Sequence, residues 1–415
     1  MESISRQRVS NLRRPLKYLS AAVLFAAFFV FFYLKYVPLV PGFQALVLGS
    51  GLAVLVLAAA RPETGTLAFL LLFPLVNAWP YLFRIDEHVP HAPAALVLFL
   101  FYLLGRLVGR AFGAHRESGS DPIRRPIGFF AGLVAVSAAV TFWRFSGFFP
   151  FVADRLYEYP VNVTGVSAGG ARMSAVFVAL NLLGGMTFYA LVRPLLRDAG
   201  FRRRALSALA AGLLVAAAAG LAQKIFDPRF GNTAFWADMH QINGTFKDPN
   251  AFGAVLSMFL PLLIAAFFRE GGKLRPLFGA AALLGLIVFP FIGSRSPLLG
   301  LGSGLLWIAA SAVLAWKRAG GRLGKTAVAG VLLAAALAAG LGGIVAQRAR
   351  LFQRLSDNVS ALARGDGLAA LSRERYFLWR EALAMARDYP VSGVGAVAYI
   401  LELPNYYAKD TTFSS

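Results

Sequence analysis

With 58% of its 415 residues hydrophobic and a mean hydropathy of +0.63, this chain has more apolar side chain than one soluble core can hold, and its apolar runs repeatedly reach the roughly 20 residues that cross a bilayer. A formal net charge of +21, from 41 basic and 20 acidic residues, would suggest nucleic acid in a soluble protein. Here the arginines flank the apolar runs, which is the pattern of membrane orientation, so nucleic-acid binding is set aside. The chain has no cysteine, which excludes structural disulfides, thiolate metal sites and cysteine nucleophiles.

In chain order, Arg6, Arg8, Arg13, Arg14 and Lys17 precede a first apolar run from about Tyr18 to Leu34. Lys35, Tyr36 and Val37 after it offer no small-residue cleavage site, so this is a retained span and the N-terminus is cytoplasmic. Later spans are expected near 43–60, 64–80, 93–110, 127–143, 172–192, 205–222, 250–268, 277–292, 297–316 and 326–345. The expected fold class is an all-α polytopic membrane protein of about 11 transmembrane helices. Alternation gathers Arg106, Arg110, Arg116, Arg124 and Arg125 on the inner side, and likewise Arg193, Arg197, Arg202, Arg203 and Arg204. The outer loops are poor in basic residues. An error of one span would reverse the later loops, so the whole pattern supports the topology better than any one span does.

Along the way, His88 and His91 stand near Asp86 and Glu87, but Pro90 breaks any helical spacing between them and no metal is assigned. The outer loop from Arg144 to Arg172 is rich in aromatics and proline, as an aromatic belt or a lid on a lipid-facing groove would be, the belt being the plainer reading. Gly300, Gly302 and Gly304 allow close helix packing and carry no chemistry.

Two outward-facing turns organise the second half: His240 to Asn250 (H-Q-I-N-G-T-F-K-D-P-N) and Gly293 to Pro297 (G-S-R-S-P). Asp248 as N-cap and Pro249 as first helical residue open one helix; Ser296 and Pro297 are expected to do the same for the other. A basic residue stands at each start, Lys247 and Arg295. Two helix N-termini on one side of a membrane, each with a cation, make a site for a phosphorylated ligand. His240, beside Asp238, is a candidate general base, with an incidental loop histidine as the alternative.

The chain divides into a transmembrane helical domain, 1–345, and an outer segment, 346–415. In the latter, Ser372 to Asp388 reads as an amphipathic helix with an apolar stripe of Tyr376, Trp379, Leu383 and Ala386, stopped by Pro390. Arg373, Arg380 and Arg387 share one face, either solvated or against anionic headgroups or a phosphate. The G-x-G of Gly393 to Gly395 is too short to indicate a nucleotide site.

At N-G-T-F-K-D-P-N-A-F-G (Asn243 to Gly253), S-R-S-P-L-L-G (Ser294 to Gly300) and R-Y-F-L-W-R-E-A-L-A-M-A-R-D-Y-P-V-S-G-V-G (Arg375 to Gly395), the chain resembles the O-antigen ligase and O-antigen polymerase superfamily of bacterial envelope membrane proteins. The resemblance implies an inverting, metal-independent glycosyltransferase without a cofactor, in the bacterial inner membrane with its site on the periplasmic face. Segment 346–415 would then be a large periplasmic, partly helical loop domain. The donor would be a glycan on undecaprenyl pyrophosphate, the acceptor lipid A core or another lipid-linked glycan, amid membrane lipids. Arg295 matches the arginine of the S-R motif; with Lys247, Asn250, Ser296, Gln241 and Arg375 it forms the expected substrate-binding set. Two departures stand out. Gln241 occupies a position where the family often has arginine, and no histidine follows His240 to match the family's catalytic loop histidine. That histidine and one or two closing spans are expected beyond Ser415. Ligase and polymerase stay undistinguished. A secondary transporter of an anionic or lipid-linked substrate is the rival, but no internal repeat is visible and both turns lie at the outer edge.

Overall fold

The computed structural model describes residues 2–85, 92–112, 123–144, 168–318, 374–391, 393–395, 398–399, 402–403 and 406. All regular structure among them is helical. The chain forms two compact units, one of Met1–Asp86, Pro93–Glu117 and Leu195–Gln347, the other of Glu87–Ala92, Ser118–Pro194 and Arg348–Ser415.

The first unit begins with α1 (Glu2–Tyr36), α2 (Pro41–Ala60) and α3 (Pro62–Leu72). Pro41 and Pro62 each stand in a first turn, where the missing N–H removes no bond and φ is already helical. The expected span at 64–80 is broken: α3 ends before Pro74, and α4 (Trp79–Leu82) continues after a short 3-10 turn, with a bend of 49°. Pro74 and Pro80 cannot donate to the preceding turn, which explains the break. α5 (Ala94–Ala111) follows. The second unit contributes α6 (Arg124–Arg144) and α7 (Ala168–Val192).

The chain then returns to the first unit with α8 (Ala199–Ile225), whose N-cap Asp198 accepts from the Phe201 N–H at 2.6 Å. α9 (Ala234–Asp238), α10 (Pro249–Arg269), α11 (Arg275–Val288) and α12 (Arg295–Arg318) complete it. Leu213, Phe252, Leu256, Leu260, Leu263 and Phe278 are fully buried in the core shared by α8, α10 and α11. α12 reaches α10 through glycine: a Cβ on Gly304 would lie 2.6 Å from Pro261 Cγ, and one on Gly300 2.9 Å from Ser257 Oγ. At one end of the unit Arg204 pairs with Glu63 at 2.7 Å and Arg203 with Glu270 at 2.9 Å, bringing the starts of α3 and α8 to the end of α10. Exposed pairs contribute at most about 1 kcal/mol, so their value here is to show that α3 and α8 run one way and α10 the other.

Among the described residues eight helices are long and apolar enough to cross a membrane, or nine with the bent pair; Ser296–Ser311 is a shorter apolar helix. Of the expected spans, 326–345 lies outside the described residues, as do His88, His91 and nearly all of the loop from Arg144 to Arg172.

In the second unit α13 (Glu374–Asp388) reverses an expectation. Trp379, Leu383 and Ala386 of the apolar stripe are exposed, while Glu381 and Met385 are buried. The residues after the helix account for this: Tyr399 donates to the Leu378 carbonyl at 2.6 Å and Tyr406 to Asp388 Oδ2 at 2.7 Å. Glu381 pairs with Arg380 at 2.8 Å.

Candidate functional site

The turn from His240 to Asn250 is built from its backbone outward. His240 leaves α9 at φ 56° and is exposed. Gln223, buried near the end of α8, then fixes the chain: its Oε1 accepts from the N–H groups of Gly244 at 2.9 Å and Asn243 at 3.1 Å. Its Nε2 has the carbonyls of Gly244 and Phe230 and the Asn243 side-chain oxygen at 2.8 Å each, and two protons to share among them. Asn243 in turn donates to the Phe246 carbonyl at 2.6 Å. Gly244 is left-handed at φ 59°, and a Cβ there would lie 2.8 Å from the Ala216 carbonyl oxygen, so only glycine fits. Thr245 donates to the Pro74 carbonyl, anchoring the turn at the broken span. Phe246 stacks on Phe252 at 5.5 Å.

From this clamp the chain enters α10 as expected, with the Asp248 carboxylate accepting from Ala251 N–H at 2.9 Å and Pro249 in the first turn. Lys247 and Asn250 are left exposed.

The second helix starts two residues earlier than expected. α12 opens at Arg295, so Ser296 and Pro297 lie inside its first turn and Ser296 is not the cap. Ser294 precedes the helix and spends its hydroxyl elsewhere, donating to Asn250 Oδ1 at 2.6 Å. Gly293 makes the reversal possible at φ 72°, and its missing Cβ leaves room for the Gln241 side chain, whose Nε2 would be 3.0 Å from such an atom. The Ile242 N–H donates to the Phe291 carbonyl at 3.3 Å. A Cβ on Gly253 would collide with Pro297 Cγ at 2.5 Å, so the first turns of α10 and α12 touch.

The fold therefore gathers Gln241, Asn250, Ser296 and the backbone of Arg295 around two adjacent helix starts, with Lys247 one residue before the cap. Arg375 lies in the second unit, in the first turn of α13. Sequence reasoning missed three residues. Ser294 makes the bridge between the turns. Gln223 holds the first turn, and a glutamine inside an apolar span was the available signal. Lys224, beside it, sets its ammonium 5.3 Å from the Phe291 ring. The neighbouring acids are occupied locally: Asp248 caps α10, and Asp238 faces Arg229 at 3.5 Å. Neither Lys224 nor Lys247 pairs with a carboxylate among the described residues. The first-turn N–H groups and these cations give the face a positive potential, each helix end acting as about half a charge.

Fold and site thus define a polytopic helical membrane protein with two adjacent helix starts on one face. Residues 280–414 match the family model described as O-antigen ligase. The match takes in Gly293 to Pro297 and α13, and not the turn from His240 to Asn250. No curated protein and no solved structure matches the chain.

Proposed function

We propose that this protein is a membrane glycosyltransferase that transfers or polymerises a glycan carried on undecaprenyl pyrophosphate, acting at the periplasmic face of the bacterial inner membrane by inverting, metal-independent chemistry. The observation that carries the reading is the bond from Ser294 to Asn250 at 2.6 Å, because it couples the turn inside the O-antigen ligase match to the lysine-bearing turn outside it. Pyrophosphate oxygens accept from the N–H groups that open α12 and from that of Asn250, since Asp248 already holds those of Ala251 and Phe252. Arg295 grips two of those oxygens at once, and Lys247 adds charge. Gln241, Asn250 and Ser296 orient the group.

In the reaction an acceptor hydroxyl, on lipid A core or on another lipid-linked glycan, attacks the anomeric carbon. The bond from that carbon to the pyrophosphate oxygen breaks, the configuration inverts, and undecaprenyl pyrophosphate leaves with its new charge met by the fixed cations and dipoles. The hydroxyl proton passes to a base, for which His240 is the candidate in this chain. The test is to incubate purified protein with an undecaprenyl-pyrophosphate glycan and each acceptor in the presence of EDTA. Product with an inverted linkage and release of undecaprenyl pyrophosphate are expected; release of neither with both acceptors would overturn the proposal.

A further inference from the structure

The far end of α5 carries a group that the glycan site does not use. Tyr102, Arg106 and Arg110 follow one another at i, i+4 and i+8, on one face of the helix. Tyr102 is fully buried and its hydroxyl lies 2.9 Å from Thr66 Oγ1. Since the Thr66 hydroxyl donates to the Pro62 carbonyl at 2.7 Å, Tyr102 is the donor in that pair and has no proton left for a second acceptor. Arg106 is 4% exposed, and its Nε and Nη1 are buried with no hydrogen-bond partner among the described residues. A guanidinium stays protonated, so a cation sits here with two of its three nitrogens unsatisfied. Buried ionisable groups of this kind mark function more often than packing.

Among the described residues no carboxylate pairs with it. Gly105 and Gly109 bring α5 against α2, where a Cβ would lie 2.3 Å from the Leu55 carbonyl oxygen and 2.6 Å from that of Ala59. These carbonyls at the negative end of α2 make the arginines tolerable, yet none of them accepts from Nε or Nη1. Glu63, the acid in the first turn of α3, is held by Arg204 at 2.7 Å. Arg110, one turn beyond Arg106 and half-buried, has its guanidinium carbon 5.9 Å from the Tyr18 ring. The turn of α1 before Tyr18 carries Arg13, Arg14 and Lys17, so this end of the unit collects positive charge.

We propose that Arg106 and Arg110 hold the phosphate of an anionic phospholipid headgroup against α5. A phosphate diester supplies acceptors for nitrogens that the protein leaves unpaired, and a lipid brings it to the depth of a residue near the end of a span. The site lies at the helix ends opposite the two turns of the glycan site, so the two can be tested separately.

The experiment is native mass spectrometry and thermal unfolding of purified full chain relipidated with phosphatidylglycerol or phosphatidylcholine, or given inorganic phosphate alone. Wild type should retain phosphatidylglycerol at least fivefold over phosphatidylcholine and unfold several degrees higher with it. Arg106→Gln and the milder Arg110→Gln should bring the retention ratio towards one. Equal stabilisation by inorganic phosphate would assign the site to a free anion and overturn the lipid. Unchanged lipid retention in Arg110→Gln and in Arg106→Leu would show that the arginines are structural and overturn the site altogether.

Discussion

The hydroxyl of Ser294 donates to the side-chain oxygen of Asn250 at 2.6 Å across 44 residues of sequence, so the starts of α10 and α12 are held in one register. A single hydrogen bond contributes about 0.5 to 1.5 kcal/mol net, so Ser294→Ala should leave the unfolding midpoint nearly unchanged. Donor positioning is more sensitive, and glycan transfer should fall by roughly tenfold or more. Transfer rate at saturating donor, read beside thermal unfolding, separates the two effects; an unchanged rate would mean that the register does not matter.

Gln223 makes the opposite kind of contribution. Gln223→Leu leaves the buried N–H groups of Asn243 and Gly244 without an acceptor, at about 1 to 3 kcal/mol each. The expected result is a clear drop in unfolding midpoint with early protease cleavage between His240 and Asn250. Wild-type unfolding with an intact turn would show that the clamp is dispensable.

Arg295→Ala should abolish transfer without loss of folded protein, since the residue stands at the opening of a helix. Arg295→Lys should also be poor, because ammonium is a point charge where guanidinium binds two oxygens. Lys247→Arg should be tolerated and Lys247→Ala should weaken donor use only in part. In vitro transfer with monodisperse variants decides this, and an Arg295→Ala protein working at the wild-type rate would falsify the donor assignment.

In α13 the buried and exposed faces predict an order of damage. Met385→Asp puts a charge where 3% of the side chain is exposed, and with no partner it should cost more than about 3 kcal/mol. Trp379→Asp, on the open face, should leave the helix folded. Protease sensitivity of the tail should therefore rise far more in the first variant, and equal sensitivity would contradict the burial.

Orientation is testable by reporter fusions. Those after Arg116, Arg204 and Lys317 should read cytoplasmic and those after Tyr157, Phe235 and Arg364 external, as the arginine distribution requires; any exchange between the two groups would move the candidate site to the other face.

Much of the site was legible from local chemistry alone. Asp248 and Pro249 identify the start of α10 because a carboxylate cap and a preset φ act within four residues. The second turn misled by position: Ser296 and Pro297 have the same local signal, but Ser294 is engaged by Asn250, a partner no local rule can supply. The stripe of α13 is a similar case. Periodicity correctly finds an amphipathic helix, yet the inward face is the one carrying Glu381 and Met385, and Tyr399 and Tyr406 reach back to Leu378 and Asp388 of that helix.

The sequence by itself determined that the chain is helical and crosses a membrane many times, because unbroken apolar runs in lipid must satisfy their own backbone. It also determined the residues that open the first helix of the site and the likeness to the O-antigen ligase superfamily. Only the tertiary structure decided that the span after Pro62 is bent, that Gln223 holds the first turn, and that the two helix starts touch. It also left two nitrogens of Arg106 buried with no hydrogen-bond partner among the described residues. Each of these depends on which side chain from a distant segment reaches a given backbone group, and that is fixed by close approach at residues such as Gly253, Gly293 and Gly105 rather than by any pattern along the chain.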